Sequence, residues 1–279
     1  MKCLVVLIGL ICLWCTLPVS QAAVEMVRAP NFGAEAVDQL DHSKQACGPA
    51  SLLNQLRFGN ATLQSAEGKI PAEGDARKLR WIIGRYGIKG SNHLSGRMRW
   101  NQATGVNVAD LEDMANLMAG ELRSSKVTTE HLQRKKGDRG QELISRAHKR
   151  IVKSLKSGVP PILQVRRVVH RQSTQAQQKF WMGVHGHFVV IIGVQKKLAK
   201  NSSQLLVEYV DPWRGSKFSG YLEIPTEKFF ATNPSSKDGN GFSVTPYLNV
   251  NFPSSSIGES KIRAGEKSVL TCPNLIGRF

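Results

Sequence analysis

Gly183-Val-His-Gly-His187-Phe-Val-Val-Ile-Ile-Gly193 is the stretch on which the fold turns. Phe188 to Val194 is a short, continuous apolar run with β-branched residues, the pattern of a central strand covered on both faces. Around it, Pro161-Ile-Leu-Gln-Val165, Leu205–Val210, Tyr221–Ile224 and Phe242–Val250 read as further strands, with a Gln-rich loop over 171–180. Upstream the apolar period changes to that of helices. Pro49–Arg57 presents Leu52, Leu53 and Leu56 on one face. A helix capped by Asp75 runs to Tyr86 and closes at Gly87, burying Leu79, Ile82 and Ile83. Val108–Ala119 turns Leu111, Met114, Leu117 and Met118 inward and stops at Gly120. A fourth helix covers 141–156 and ends at Gly158, and Thr226 caps a short one around Phe229. Residues 123–139 are basic and polar and read as an exposed insert. Helices come first and strands later, which predicts an α+β fold with an antiparallel sheet.

The first 22 of the 279 residues read as a secretory signal: Lys2, an apolar run from Leu4 to Leu13, Pro18, then Ser20-Gln21-Ala22 as the cleavage site. The run falls short of the ~20 residues that span a bilayer. The expected mature chain, 23–279, is one exported domain, periplasmic or extracellular, with a C-terminal extension after about 252. The full sequence carries a formal charge of +17, from 38 Lys and Arg against 21 Asp and Glu, and loss of Lys2 with the signal leaves a surplus that favours anionic surroundings such as an envelope polymer or an acidic peptide. The basic residues are spread along the chain without a zinc-finger spacing or an aromatic-rich basic strand, so no specific nucleic-acid partner is expected. Three of the five cysteines, Cys3, Cys12 and Cys15, leave with the signal. Cys47 and Cys272 remain, either joined as a disulfide or free for chemistry. Asn60-Ala-Thr62 and Asn201-Ser-Ser203 fit the glycosylation pattern, which matters only in a eukaryotic secretory route.

Gln45-Ala-Cys47-Gly-Pro49-Ala-Ser51 places a thiol at a helix N-terminus, since Pro is tolerated in the first turn. The unpaired N–H groups and the dipole there favour a thiolate. Gly48 is read as leaving the backbone beside the sulfur open, so that the Cys47 N–H can face a developing oxyanion. Of seven histidines, His185 and His187 stand at the mouth of the central strand, on one face, and periodicity does not choose between them. Asp211, in Val210-Asp-Pro212, ends the next strand. If the two strands form a hairpin, Asp211 returns beside His187 and can fix its tautomer. Asp211 also suits an Asx-Pro turn, and both roles can hold together.

Four blocks in order, Cys47-Gly-Pro-Ala-Ser51, Ser157-Gly-Val-Pro-Pro-Ile-Leu163, Gly186-His-Phe-Val-Val-Ile-Ile-Gly193 and Val210-Asp-Pro212, resemble the papain-like cysteine peptidases of the bacteriocin-leader-processing type and their exported, stand-alone relatives. The resemblance covers residues 39–225. It implies a papain-like α+β fold, with N-terminal helices carrying the cysteine and a C-terminal antiparallel sheet carrying histidine and acid. It implies Cys47 as nucleophile, His187 rather than His185 as base, and Asp211 as the orienting residue. The family's oxyanion glutamine precedes the cysteine by several residues. Here Gln45 is two before and Gln39 eight before, and Gln45 is preferred because it lies in the turn delivering Cys47.

The function expected is hydrolysis of a peptide or amide bond through a Cys47 thioester, with no metal or organic cofactor. Its rivals are an inactive peptidase-like module that binds peptide or wall material, a transpeptidase or amide ligase using the same residues, and an envelope protein with Cys47 tied to Cys272.

Overall fold

The computed structural model describes residues 24–135, 138, 140–172, 179–226, 247–253, 257 and 262–279. The signal, the Phe229 helix and the part of the 242–250 strand before residue 247 lie outside these residues. Five helices are α1 (Cys47–Phe58), α2 (Ala61–Gly68), α3 (Asp75–Ile82), α4 (Val108–Leu122) and α5 (Gln141–Lys156). A π-turn, Ile83–Gly87, prolongs α3 to the expected stop. The strands are β1 (Met26–Arg28), β2 (Trp100–Asn101), β3 (Gly105–Val106), β4 (Thr128–His131), β5 (Ile162–Gln172), β6 (Lys179–Gln195), β7 (Gln204–Asp211), β8 (Ser216–Glu223), β9 (Leu248–Asn251) and β10 (Ser268–Gly277). The chain is therefore α+β, with every strand pairing antiparallel.

The main sheet runs β6-β5-β10-β9-β8-β7, and β7 pairs back onto β6. The ladder thus closes into a ring, which leaves the central strands without open edges. β1 continues the β5 side of β6, and β4 adds to β10. Among the described residues no helix is long and apolar enough to cross a membrane.

Several expectations are corrected by this topology. The stretch after 252 is no appendage, because β10 lies between β5 and β9 within the ring. The basic insert contributes β4, whose Thr128–His131 pairs with Gly277–Asn274. The loop read over 171–180 is corrected at both ends: β5 continues to Gln172 and β6 starts at Lys179, so the polar composition hid strand residues. Gly120 lies inside α4, which ends instead at Arg123 with φ +57°, and Leu117 is 43% exposed rather than inward. The cap of α3 is Gly74; Asp75 gives its carboxylate to Arg57 at 2.6 Å. Arg57 also reaches Glu67 at 2.6 Å, and Lys78 bonds the same Glu67, so one partly buried ion cluster ties α1, α2 and α3 together.

Helix α1 is the axis of the core. Every residue in it except Arg57 is buried. Its three interior polar side chains each find a backbone partner, as buried polar groups must. Asn54 Oδ1 accepts from Val37 N–H at 2.8 Å, Gln55 Nε2 donates to Pro160 O at 2.8 Å, and Ser51 Oγ donates to Phe188 O at 3.2 Å. The unread helix α2 is capped by Asn60, whose Oδ1 accepts from Leu63 N–H. That side chain is packed against Gly158, so Asn60 is committed to the fold.

Candidate active site

Cys47 is the first residue of α1, and its N-cap Ala46 contributes no side-chain hydrogen bond. The first N–H groups of the helix therefore lack intrahelical and side-chain partners at the sulfur. Gly48 serves a purpose other than the one read from sequence. A Cβ there would lie 2.3 Å from Val106 Cγ1 and 3.3 Å from Leu111 Cδ1. Glycine lets β3 and α4 close onto the helix; it is filled over rather than open.

His187 and Asp211 are set by the β6–β7 register. Val190 pairs with Val210, so Asp211 falls opposite Val189, and His187 stands one pleat further on the same face. His187 Nε2 and Asp211 Oδ1 are 2.7 Å apart. The same Oδ1 accepts from Trp213 N–H at 2.8 Å. Asp211 thus closes an Asx turn and holds the imidazole at once. With Nε2 engaged by the carboxylate, Nδ1 is the nitrogen left for the sulfur, and His187 hydrogen-bonds Cys47 as well. His185 lies opposite Arg167, two residues further along β6, and the hydrogen bond to Asp211 belongs to His187.

The three side chains form a graded chain into the core: Cys47 is 8% exposed, His187 4% and Asp211 1%. Cys47 is the member least removed from solvent. Burial alone pushes the His187 imidazole down. The hydrogen bonds to Asp211 and to Cys47, together with their negative charge, outweigh it and raise His187 to about 10. Such an imidazole holds its proton at neutral pH and faces a sulfur at a helix N-terminus. That arrangement suits a thiolate–imidazolium pair.

The loop before Cys47 is bound to the turn after Asp211. Asp38 Oδ1 accepts from Leu40 N–H and from Arg214 N–H, each at 2.9 Å, and Gln39 N–H donates to Pro212 O at 2.7 Å. Gly215, with φ +55°, allows the close approach to Ala36 O. The two glutamines differ in what they face. Gln39 is 1% exposed and its Nε2 donates to Lys44 O at 2.7 Å. Gln45 is half-buried, its carbonyl accepts from the Trp100 indole N–H at 2.9 Å, and its side chain lies beside Gly105.

Cys47 and Cys272 are both free, so the disulfide alternative is not formed. Burial pushes the Cys272 thiol well above the usual range, which marks it as a packing residue of β10. His93, Asp110 and Asp113 bring possible ligand atoms within 4.8 Å of one another. Arg99 stands 3.9 Å from Asp113 and supplies positive charge there without an ion.

Sequence reading gives Ser51 no role of its own and passes over Asp38 and Trp100. A hydroxyl one helical turn after the thiol, on a helix otherwise apolar, is the signal that could have found Ser51. Its bond to Phe188 O joins the helix that carries Cys47 to the strand carrying His187. Ser51→Ala should cost about 1–3 kcal/mol by stranding that carbonyl, and should slow alkylation of Cys47 at pH 6. Gln55→Ala, which breaks a similar buried bond to Pro160, should lower the melting temperature without slowing alkylation. Equal alkylation rates in both variants would reduce Ser51 to a packing residue.

No protein-family model matches the chain, and a search of curated proteins likewise finds no match.

Proposed function

We propose that this chain is an exported papain-like cysteine hydrolase that cleaves a peptide or amide bond. The buried Cys47–His187–Asp211 chain, with His187 bonded to both neighbours, carries this reading. His187 Nδ1 holds the thiol proton, and the Cys47 thiolate attacks the substrate carbonyl carbon. The carbonyl electron pair moves to oxygen, where the Cys47 N–H stabilises it, assisted by a glutamine side chain. Collapse breaks the C–N bond as His187 protonates the leaving amine, giving a thioester. Water then attacks with His187 as base, releasing the acid and the thiol. Asp211 keeps Nε2–H fixed and supports the imidazolium throughout. No step calls for a metal or organic cofactor.

The second reading is a peptide-binding module that has lost hydrolysis, and one observation favours it: Gln39 Nε2 is engaged by Lys44 O. Iodoacetamide labelling between pH 5 and 9, read by peptide mass, tests the nucleophile. Cys47 should label rapidly at pH 6 while buried Cys272 does not. Peptide incubation should then give cleaved products and a transient acyl adduct on Cys47. Labelling confined to alkaline pH would sink the hydrolase. Fast labelling with no product from any peptide would favour the binding module.

A further inference from the structure

The wall built from residues 83–106 holds a feature that the acyl-transfer chemistry leaves unused. The chain leaves the π-turn at Gly87, runs out through Ile88 and returns as the β2–β3 ribbon. The ribbon is fixed to the loop that delivers the nucleophile. Trp100 on β2 donates to Gln45 O, two residues before Cys47. A Cβ on Gly105 would lie 3.2 Å from that same carbonyl. Val106 packs over Gly48.

Between this wall and His42-Ser43 lies a cavity of about 330 Å³, in the range of ligand pockets. Ile83, Ile88 and Trp100 give it apolar walls, and Arg80 is the one side chain of permanent charge that lines it. The Trp100 ring is 5.9 Å from the His42 ring and is held by its hydrogen bond to Gln45. Burial, aided by Arg80, pushes the His42 imidazole down from its usual range. Ile88 is nevertheless 54% exposed. With Leu94 at 37% and Met98 at 54%, it makes three of the seven large apolar side chains exposed among the described residues, all within eleven positions of the chain. Clustered apolar exposure of this kind marks an interaction surface.

We propose that this cavity is a specificity subsite that takes one large apolar side chain of the substrate and disfavours a cationic one. The proposal rests on the reading of Cys47 as the hydrolytic nucleophile. An extended peptide advances about 3.3 Å per residue. A substrate whose carbonyl meets Cys47 therefore brings side chains within a few positions of the scissile bond against the Gln45–Trp100 wall. The rigid indole and Ile83 supply contact area with little ordering cost, while Arg80 repels lysine or arginine.

The test uses blocked Ala/Gly octapeptides in which one position at a time is Leu, Phe, Lys or Glu. At one position Leu or Phe should exceed Lys in kcat/KM by about 10–200-fold, the range a hydrophobic pocket can discriminate. Ile88→Asp should reduce that preference about tenfold, chiefly through KM, with Cys47 alkylation unchanged. Ile88 is mostly exposed, so this variant should fold. Calorimetric binding of the same peptides to Cys47→Ala reads the cavity without turnover. Tighter binding of Leu than Lys peptides there, weakened by Ile88→Asp, supports the subsite even if no peptide is cleaved. Equal affinities across the set, or a preference untouched by Ile88→Asp, would overturn it. Absence of cleavage in the wild type, by contrast, counts against the hydrolase reading alone.

Discussion

His187→Ala should lower kcat/KM about 10⁴-fold, which is about 5.5 kcal/mol of transition-state stabilisation. On the proposed mechanism three functions leave with the ring: the acceptor of the thiol proton, the donor to the leaving amine, and the base for the attacking water. In the same variant, iodoacetamide labelling of Cys47 at pH 6 should fall steeply, because the imidazolium that holds the thiolate is gone. A second cost accompanies this. Asp211 is 1% exposed and loses the imidazole as its hydrogen-bond partner once His187 is removed. Removing one partner of a buried pair costs about 3–5 kcal/mol, so the melting temperature should drop too. His187→Gln retains a side-chain donor and separates the two effects. It should fold more firmly than His187→Ala and be equally inactive. Activity and low-pH labelling that survive in either variant would remove His187 from the chemistry.

The same residue ties stability to pH. His187 is raised from the ordinary imidazole value of 6.5 to about 10 in the folded protein. A group whose folded value is raised contributes stability that is full below its unfolded value and is lost as pH rises through the folded one. The His187 contribution is therefore intact below about 6.5 and disappears towards pH 10. It acts opposite to a salt-bridged carboxylate, whose contribution is lost on acidification.

What was legible in the sequence followed from patterns that single segments can hold. The α1 residues 47–58, α5 and the core of β6 announce themselves through apolar period and end signals, and the hairpin argument places Asp211 one pleat from His187. What was not legible depends on partners far along the chain. The role of Gly48 is set by Val106 and Leu111, which lie about sixty residues away in sequence. β10 reads as a tail because Ser268–Gly277 is interrupted by Pro273, and a proline argues against a strand in the middle of a sheet. The structure accommodates it with a register shift between Thr271 and Asn274. Helix α2 is eight residues long and carries few apolar side chains, so its period is weak, although Asn60 is its N-cap. Local propensity could not reveal the Trp100–Gln45 bond either, since it forms between strand β2 and a loop that only tertiary packing brings together.

Asp211→Asn should move the alkaline limb of activity downward and reduce kcat, with KM little changed. The hydrogen bond that His187 donates to Asp211 is the largest of the contributions that raise His187 against the opposing effect of burial. An asparagine amide oxygen can still accept from Nε2–H, so the ring stays in place, but the negative charge that supports the imidazolium is gone. His187 must then titrate below its present value of about 10. The sign of the activity change follows from the role of the proton. On the proposed mechanism, breaking the C–N bond needs protonated His187, so activity is held below its pKa and lost above it. Lowering that value narrows the active range from the alkaline side. At neutral pH the loss should be about 10–100-fold, smaller than for His187→Ala, since the base and the nucleophile remain. The Asx turn survives if the asparagine oxygen keeps the Trp213 N–H, so the fold should tolerate the change. Measuring kcat/KM from pH 5 to 11 in both proteins decides the matter. A limb that stays near pH 10 in Asp211→Asn would mean that Asp211 only shapes the turn. A limb that moves down, with the melting temperature preserved, assigns it to the imidazole.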